Sequence, residues 1–412
     1  MSLFPSTLDE IDFWDLEMFT EGDPHQAWSI LRDQAPVYWH EREGGEPFWA
    51  VTRYEDGRAV QGDPIVFSSE NPGIRLRSAD MINAYAGGMG RSMIGTDPPA
   101  HQPRRRVISH NFTPRSVADW EAEVRRIAQQ CLASAAELGE FDFVTEVAHK
   151  VPAAVALLLI GVPESDWAYM TELEHMQITS DDSEFQKGRS RAETARQAQI
   201  EIHTYFSQLV RERMKKPGDD LLSQLLAGTA DGEPIPFEDV VAEAGLLLAG
   251  GLDTTRAAAS AGGMLPLLEH PGQMRRLRED PSLLGPAVEE FVRWASPIVH
   301  DARTVTRDVE FRGHRFETGQ RVAVWMPSCN RDASQFHDPF AFDSARSPNR
   351  HLGFAHGEHF CLGAHLARLT LRVEFDELLR TFTDIELVGQ PERVRSNFVG
   401  GLKRLPVRAK AA

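Results

Sequence analysis

Apolar residues recur at helical spacing over a large part of the chain. Between residues 116 and 293 the pattern is mostly that of helices, with apolar positions three and four residues apart. One such stripe lies on a single face of a predicted helix and consists of Trp120, Val124, Ile127 and Cys131. The middle of the chain is therefore predicted to be a set of packed helices.

The most apolar of these helices lies between Pro236 and Pro271. Its roughly 30 residues would extend about 45 Å, which is long enough to cross a whole domain. Two adjacent glycines, Gly250 and Gly251, interrupt its apolar face, and Thr254 follows them. Each glycine costs about 1 kcal/mol of helix stability, and a threonine can bond a carbonyl one turn back and bend the helix. The run predicts either a close crossing with another helix or a functional break.

Short strands are predicted near both ends of the chain, and a final helix is predicted at about residues 363–381. The predicted strands are residues 37–39, 48–51, 309–311, 314–316 and 322–326. This distribution predicts a mainly α fold with small β-sheets. No internal repeat divides the chain, so residues 1–412 are predicted to form a single domain.

Two stretches depart from the periodic pattern. Residues 71–95 are rich in glycine, methionine and arginine, which predicts a long loop of the kind that is often functional in compact enzymes. Residues 179–199 are unusually polar and are predicted to form a surface helix or a lid.

Composition excludes several classes of protein. A formal net charge of −17 argues against nucleic acid as a partner and against attachment to anionic membranes. The first residues lack the charged and apolar regions of a signal peptide. The longest apolar run, residues 151–162, contains a proline and is too short to span a bilayer. The protein is therefore predicted to be cytoplasmic, without a membrane anchor.

The cysteine content points to one position. Cys131, Cys329 and Cys361 lack CxxC spacing, which argues against a structural zinc site or a disulfide framework. Cys361 stands at a predicted loop-to-helix junction, where free backbone N–H groups lower the pKa of a thiol. It is either a buried small side chain or the nucleophile of a hydrolase with His359 as base.

Two charged pairs share a helical face. Glu290 and Arg293 are three residues apart and can form an ion pair, although such pairs are common on surfaces. His101 and Arg105 are four apart in a helix predicted to start at Pro98, and they form a cationic face suited to a carboxylate or simply a solvated basic face.

Several motifs, in this order along the chain, resemble those of the cytochrome P450 family from about residue 20 to residue 405. The anchors of the haem-binding signature are matched by Phe354, Gly357, His359, Cys361 and Gly363. Ala355 stands where a glycine is usual, which predicts slight crowding of the loop. Residues 249–255 resemble the oxygen-activation motif, and Glu290 and Arg293 resemble the structural ion pair, which Arg346 would complete.

The resemblance implies a single-domain cytochrome P450 fold whose long central helix crosses over haem b. Cys361 is implied to be the thiolate ligand of the iron, which favours O–O cleavage. Thr254 is implied to support oxygen activation, and Asp253 to help deliver protons. The residues implied to bind the cofactor, with the propionate partners first, are His101, Arg105, Arg303, His359, Phe354 and Gly363.

The resemblance also implies a monooxygenase, acting as a monomer, that uses O2 and electrons from a ferredoxin and its reductase. Residues 253–256, 293–297 and 396–403 are similar to actinobacterial P450s that oxidise sterols, branched lipids or terpenoids, whereas Leu252 and Arg350 depart from that group. The substrate is expected in one of these hydrophobic classes. Pocket candidates are Ile82, Leu247, Gly250, Val299 and Phe398. Arg104 and Arg106 are candidates for a basic patch that meets an acidic ferredoxin.

Other functions remain open at this stage. The substrate could be an aromatic or natural-product scaffold, or the protein could bind haem without turnover. A peroxide-driven or rearranging P450 would not need the relay of Asp253 and Thr254. A cysteine hydrolase would need a third group to orient its base, and the sequence supplies none.

Overall fold

Helices make up most of the computed structural model, which describes residues 3–70, 72–81 and 90–412. This confirms the mainly helical prediction. The helices are α1 (Glu17–Thr20), α2 (Pro24–Gln34), α3 (Tyr54–Gly62), α4 (His101–Ser109), α5 (Pro114–Ala118), α6 (Glu121–Leu138), α7 (Lys150–Ile160), α8 (Trp167–Ile178), α9 (Ser183–Gln186), α10 (Arg191–Lys215), α11 (Leu221–Ala227), α12 (Phe237–Gly251), α13 (Asp253–Ala257), α14 (Leu265–Glu269), α15 (Pro271–Glu279), α16 (Leu284–Ala295), α17 (Met326–Cys329) and α18 (Ala364–Thr381). Two further segments, Val144–Ala148 and Ala258–Met264, are π-helical.

The strands are short and form small sheets, as predicted. They are β1 (Val37–His40), β2 (Phe48–Val51), β3 (Phe67–Ser68), β4 (Glu140–Asp142), β5 (Thr229–Ala230), β6 (Glu233–Pro234), β7 (His300–Val305), β8 (Val309–Phe311), β9 (His314–Phe316), β10 (Arg321–Trp325), β11 (Phe382–Leu387), β12 (Glu392–Arg393), β13 (Leu402–Arg404) and β14 (Pro406–Ala411). The largest sheet has the order β1-β2-β10-β7-β3, and a second has the order β11-β14-β4. The remaining strands pair as β5-β6, β8-β9 and β12-β13.

The predicted long helix is present but is divided into several segments. It runs through α12, a break at Leu252, α13, the π-helical segment and α14. Apolar side chains of α12 pack in one hydrophobic core, and those of the π-helical segment pack in another. This central helix therefore joins the two main cores, and it is interrupted where Gly250 and Gly251 precede Leu252.

The largest sheet brings two charged side chains into the interior. Strand β10 is buried along its whole length and pairs with β2 and β7. Because side chains alternate across a strand, Ala302 of β7 packs among apolar residues on one face, while Asp301 and Arg303 face a cavity on the other.

One prediction about local structure is wrong and another is confirmed only in part. Helix α4 begins at His101 rather than at Pro98, although His101 and Arg105 still lie on one turn. The polar stretch 179–199 includes α9 and the start of α10 with many exposed residues, but Asp181 and Asp182 are buried. Their charges are compensated by Arg75, 2.6 Å from Asp181, and by Lys403, 3.2 Å from Asp182.

No helix in the described ranges combines the length and the hydrophobicity needed to cross a lipid bilayer.

Glu290 and Arg293 form a fully buried ion pair on α16. Arg293 Nε and Nη2 donate to the two Glu290 oxygens at 2.7 and 2.8 Å, and both side chains are 0% exposed. Arg346 Nε lies 3.2 Å from the same carboxylate. Arg293 Nη1 also donates to the carbonyl oxygens of Asn330 and Pro339. The pair therefore ties α16 to the irregular segment that leads to Cys361.

We expect Arg293→Leu to lower the free energy of unfolding by about 3–5 kcal/mol, because it leaves the buried Glu290 carboxylate without its closest partner. The matched control is Arg126→Leu, which breaks another i, i+3 pair, with Glu123, whose side chains are 51% and 36% exposed. The control should cost less than about 1 kcal/mol. Urea denaturation followed by circular dichroism measures both variants, and equal losses would contradict the assigned role.

Candidate functional site: a cavity between Cys361 and the break in the central helix

A largely apolar cavity has Cys361 on its lining together with the interrupted part of the central helix. The helix contributes Gly250, Gly251 and Thr254 to the cavity wall. The loop before α18 contributes Phe354, His359, Cys361 and Gly363. The cavity thus brings together two motifs that are more than a hundred residues apart in the sequence.

The backbone of the cysteine loop is held tightly. The N–H of Cys361 donates to the carbonyl oxygen of Phe354 at 2.9 Å. Gly357 has a φ of 76°, and a Cβ there would lie 2.6 Å from the carbonyl oxygen of Gln61. Only glycine satisfies both conditions. The loop therefore packs against the end of α3 and presents the Cys361 side chain to the cavity.

The electrostatic surroundings of Cys361 differ from the sequence-based expectation. Burial raises the pKa of the thiol, although the N–H of Gly363 and the charges of Arg105 and Arg368 act in the opposite direction. The N–H at the helix start thus lowers the pKa of the thiol as predicted, but burial outweighs this effect and the net shift is upward. Ionisation of the sulfur requires the positive charge of a metal ion, which deprotonates a coordinating thiol outright.

Ala355 strains the same loop. Its φ is 58°, in the left-handed region that disfavours a residue with a Cβ. The structure therefore adds a cost in backbone conformation to the crowding that the sequence predicts at this position.

The two glycines of the central helix have different surroundings. A Cβ on Gly251 would lie 2.7 Å from the Cβ of Ala156 in α7, so this glycine permits a close helix crossing. A Cβ on Gly250 would meet no atom within 4 Å, so this glycine leaves open space beside the cavity. The hydroxyl of Thr254 donates to the carbonyl oxygen of Gly250 at 2.9 Å. The predicted close helix crossing is therefore found at Gly251, whereas Gly250 borders open space.

Asp253 follows the break but does not line the cavity. Its side chain is 0% exposed and lies beside Arg256 and His175, at 3.0 and 3.4 Å. Burial alone would raise the pKa of Asp253, but the charges of Arg256 and His175 outweigh it and hold this pKa below its ordinary value. The carboxylate is therefore ionised and turned away from Thr254, so the structure does not bring the two predicted catalytic groups together.

A polar corner of the cavity contains the four predicted propionate partners. The rings of His101 and His359 are 4.4 Å apart between centroids, and Arg303 pairs with Asp301. Arg105 Nη2 donates to the carbonyl oxygen of Phe360 at 2.6 Å. Burial, assisted by Arg303, lowers the pKa of His359 to about 4. Neither ring nitrogen of His101 has a hydrogen-bond partner, although both are buried.

These residues fit haem b. The orphaned nitrogens of His101, with Arg105 and Arg303, are suitable partners for the cofactor's carboxylates. Cys361 is a soft ligand for iron, and the apolar walls suit a flat porphyrin. When bound, the haem supplies the activation of O2. A thiol facing a helix break across an apolar cavity therefore defines the haem-thiolate class of oxygenases.

The predicted substrate positions are only partly found on the cavity wall. Leu247, Gly250 and Phe398 line it, whereas Val299 packs among the apolar residues of another core. Its neighbour Ile298 takes the lining position instead, because successive residues of an extended segment face opposite sides. Ile82 lies outside the described residues.

Sequence reasoning missed several further lining residues. They include Ile74, Ile94, Leu159 and Ile178. Isolated aliphatic residues of this kind carry no signal that separates a cavity wall from an ordinary core.

The basic patch predicted on α4 is also revised. Arg104 is engaged with Asp239 at 2.5 Å and donates to the carbonyl oxygen of Arg91. It is therefore not available as a docking charge. Arg106 is exposed and lies beside Phe360, which is 40% exposed.

Comparisons with known proteins agree with this site. A family model described as cytochrome P450 matches residues 39–408. The chain is 37% identical to the putative cytochrome P450 126 of Mycobacterium tuberculosis, with 97% of each chain covered. It is 37% identical to the methyl-branched lipid omega-hydroxylase of the same organism, covering 97% of this chain and 94% of that protein.

A solved structure is similar over nearly the whole chain. Mycobacterium marinum cytochrome P450 CYP268A2, in complex with pseudoionone, superimposes with a TM-score of 0.89 at 33% identity. The match covers 98% of this chain and 99% of that one. The chain therefore belongs to the cytochrome P450 family and is a monooxygenase that uses haem b.

Ala355→Gly should raise the free energy of unfolding by about 0.5–1 kcal/mol, because glycine adopts the left-handed conformation without the steric cost of a Cβ. This gain is expected to exceed the free-energy cost of the greater conformational entropy that glycine gives the unfolded chain. The control is Ala133→Gly, at an exposed position within α6. This control substitution should lower the free energy of unfolding by about 1 kcal/mol. Chemical denaturation distinguishes the two, and destabilisation by both would contradict strain at Ala355.

Proposed function

We propose that this protein hydroxylates a neutral, branched hydrophobic molecule of the lipid, sterol or terpenoid class, with electrons supplied by a ferredoxin. The observation that carries this proposal is the distribution of charge on the cavity wall. Among the described lining residues, formally charged side chains are Arg105, Asp301 and Arg303, and all three belong to the polar corner.

Away from that corner, the wall is suited to apolar contact. It includes Ile94, Leu159, Ile178, Leu246, Leu247 and Ile298. Such a surface selects a substrate by shape and size rather than by hydrogen bonds. The names of two similar proteins, which refer to a methyl-branched lipid and to pseudoionone, support a branched apolar substrate.

Thr254 and Asp253 are proposed to handle protons. The Thr254 hydroxyl borders the cavity and is oriented by the carbonyl oxygen of Gly250, so it can hold a proton donor beside bound O2. Asp253 is ionised and buried one residue earlier, and it must rotate away from Arg256 before it can exchange a proton with this hydroxyl. A carboxylate and a hydroxyl are suitable partners in proton transfer.

The surface outside the cysteine loop is proposed to receive the ferredoxin. Exposed Phe360 immediately precedes Cys361, and exposed Arg106 lies beside it. An apolar contact next to a cation suits an acidic electron carrier. Phe360 is bonded directly to Cys361, so an electron entering at this surface would pass through a single residue to reach the cysteine.

The substrate class is tested by the spin-state change of the haem Soret band during titration of the holoenzyme. Methyl-branched lipids, sterols and terpenoids should bind more tightly than straight-chain molecules of equal carbon number. Leu247→Phe, which narrows the cavity, should weaken binding by about tenfold or more. The control is Leu138→Phe, at a side chain that is 57% exposed, and it should leave the binding affinity unchanged. Tighter binding of aromatic scaffolds would overturn this assignment and favour the other substrate class.

The role of Thr254 is tested by the coupling between electron consumption and product. Thr254→Val keeps the shape and removes the hydroxyl, so product formed per NADH, with a ferredoxin and its reductase, should fall by about tenfold or more. Hydrogen peroxide should account for the missing electrons. Thr255→Val is the matched control at the next position, which also lines the cavity. Equal coupling in the two variants would exclude the proposed role.

A further inference from the structure

A second cluster of chemically reactive side chains lies behind the central helix. It contains His149, His175 and Asp253, with Glu174 and Arg256 beside them. None of these five residues is among those that line the cavity. The cluster is therefore separate from the haem site, although Asp253 adjoins Thr254 in sequence.

The cluster is built from three helices. His149 stands at the junction between the π-helical segment Val144–Ala148 and α7, His175 lies in the last turn of α8, and Asp253 is the first residue of α13. The two imidazole rings are 4.7 Å apart between centroids and are tilted by 45°. One ligand atom from each of the three residues lies within 4.8 Å of the other two.

Several polar atoms of this cluster are buried without a hydrogen bond of good geometry, although Asp253 Oδ1 lies 3.0 Å from Arg256 Nε. Both ring nitrogens of His149, Nε2 of His175 and both carboxylate oxygens of Asp253 have no hydrogen-bond partner of good geometry. The same is true of both oxygens of Glu174. Asp253 and Glu174 are each 0% exposed. Buried polar atoms are nearly always satisfied by protein, water or an ion, so a concentration of orphaned atoms at one point indicates a missing ligand.

The donor set identifies the chemistry of that ligand. Two imidazole nitrogens and one carboxylate are the ligands of many transition-metal sites, with bonds of about 2.0–2.2 Å to Zn²⁺. Tetrahedral ligands at that distance are roughly 3.4 Å apart. His175 Nε2 and Asp253 Oδ1 are 3.4 Å apart. Because all three ligand atoms lie within 4.8 Å of one another, an inward ring movement of at most roughly 1.4 Å brings them to this spacing.

We propose that His149, His175 and Asp253 bind a divalent transition-metal ion of the Zn²⁺ type. Glu174 is a second buried carboxyl group beside Asp253. The side chain of His175 is 17% exposed and provides the route by which the ion enters. The site uses no cysteine, so the absence of CxxC spacing does not bear on it.

The ion would also affect the neighbouring haem site. A metal-bound Asp253 carboxylate cannot rotate toward Thr254, so the ion fixes the segment that follows the break in the central helix. This consequence rests on the proposed role of Asp253 in proton delivery, whereas metal binding itself does not. Binding is therefore measured directly, without turnover.

The experiment uses the haem-loaded enzyme without a histidine tag, treated with a chelator and then dialysed. Isothermal titration with ZnCl2, checked by elemental analysis of the dialysed complex, should find one equivalent bound. His149→Phe and His175→Phe keep a ring and remove the ligand nitrogens, so each should weaken binding by about tenfold or more. The control is His337→Phe, at a side chain that is 93% exposed. This variant should bind Zn²⁺ with the same affinity as the parent protein.

Cobalt provides a measurement that does not depend on the variants. Co²⁺ bound by two imidazoles and a carboxylate should give ligand-field bands, distinguished from the haem spectrum by difference against the same sample with Zn²⁺. Absence of uptake by the folded parent, judged by an intact Soret band, would overturn the proposal. Equal Zn²⁺ affinity of the parent and both ring variants would overturn it too, and would assign the bound ion to the surface.

Discussion

The structure depends on holding the sulfur of Cys361 at the wall of a largely apolar cavity, where burial disfavours the charge that the sulfur would need as an iron ligand. The Cys361 N–H is bound to the carbonyl of Phe354, and the positive φ of Gly357 lets the loop approach α3 closely. Arg105, Arg368 and the N–H of Gly363 partly offset the cost of burial. A bound iron ion would supply the rest, so binding of the cofactor and ionisation of the thiol would be linked.

The central helix meets a related constraint, because it must be rigid enough to join two cores and open enough to border the cavity. Gly251 permits close contact with Ala156, while Gly250 leaves open space and its carbonyl oxygen accepts a hydrogen bond from the Thr254 hydroxyl. The break at Leu252 then turns Asp253 away from the cavity, toward Arg256 and His175. One interruption in a single helix thus separates a face that borders the cavity from a buried ionic face.

Buried charge is compensated in different ways across the molecule. Glu290 is matched completely by Arg293 and Arg346, and this network is structural. The polar corner of His101 and Arg303 is only partly satisfied, which is what a site for a carboxylate-bearing cofactor requires. The cluster around His149 has the most buried polar atoms without a hydrogen bond, and apart from Asp253 its residues lie outside the family motifs.

The sequence by itself determined the family, the mainly helical fold and the cofactor. It also identified those candidate residues that are recognised by their close spacing along the chain. Cys361 with its glycines and the pair Glu290 and Arg293 belong to this group, because each is defined by neighbours along one loop or one helix turn. Tertiary structure decided the rest: that Ile298 rather than Val299 faces the cavity, that Arg104 is engaged by Asp239, and that Asp253 meets two histidines from other helices. These facts depend on packing between distant segments, and local patterns carry no information about which neighbour each side chain will meet.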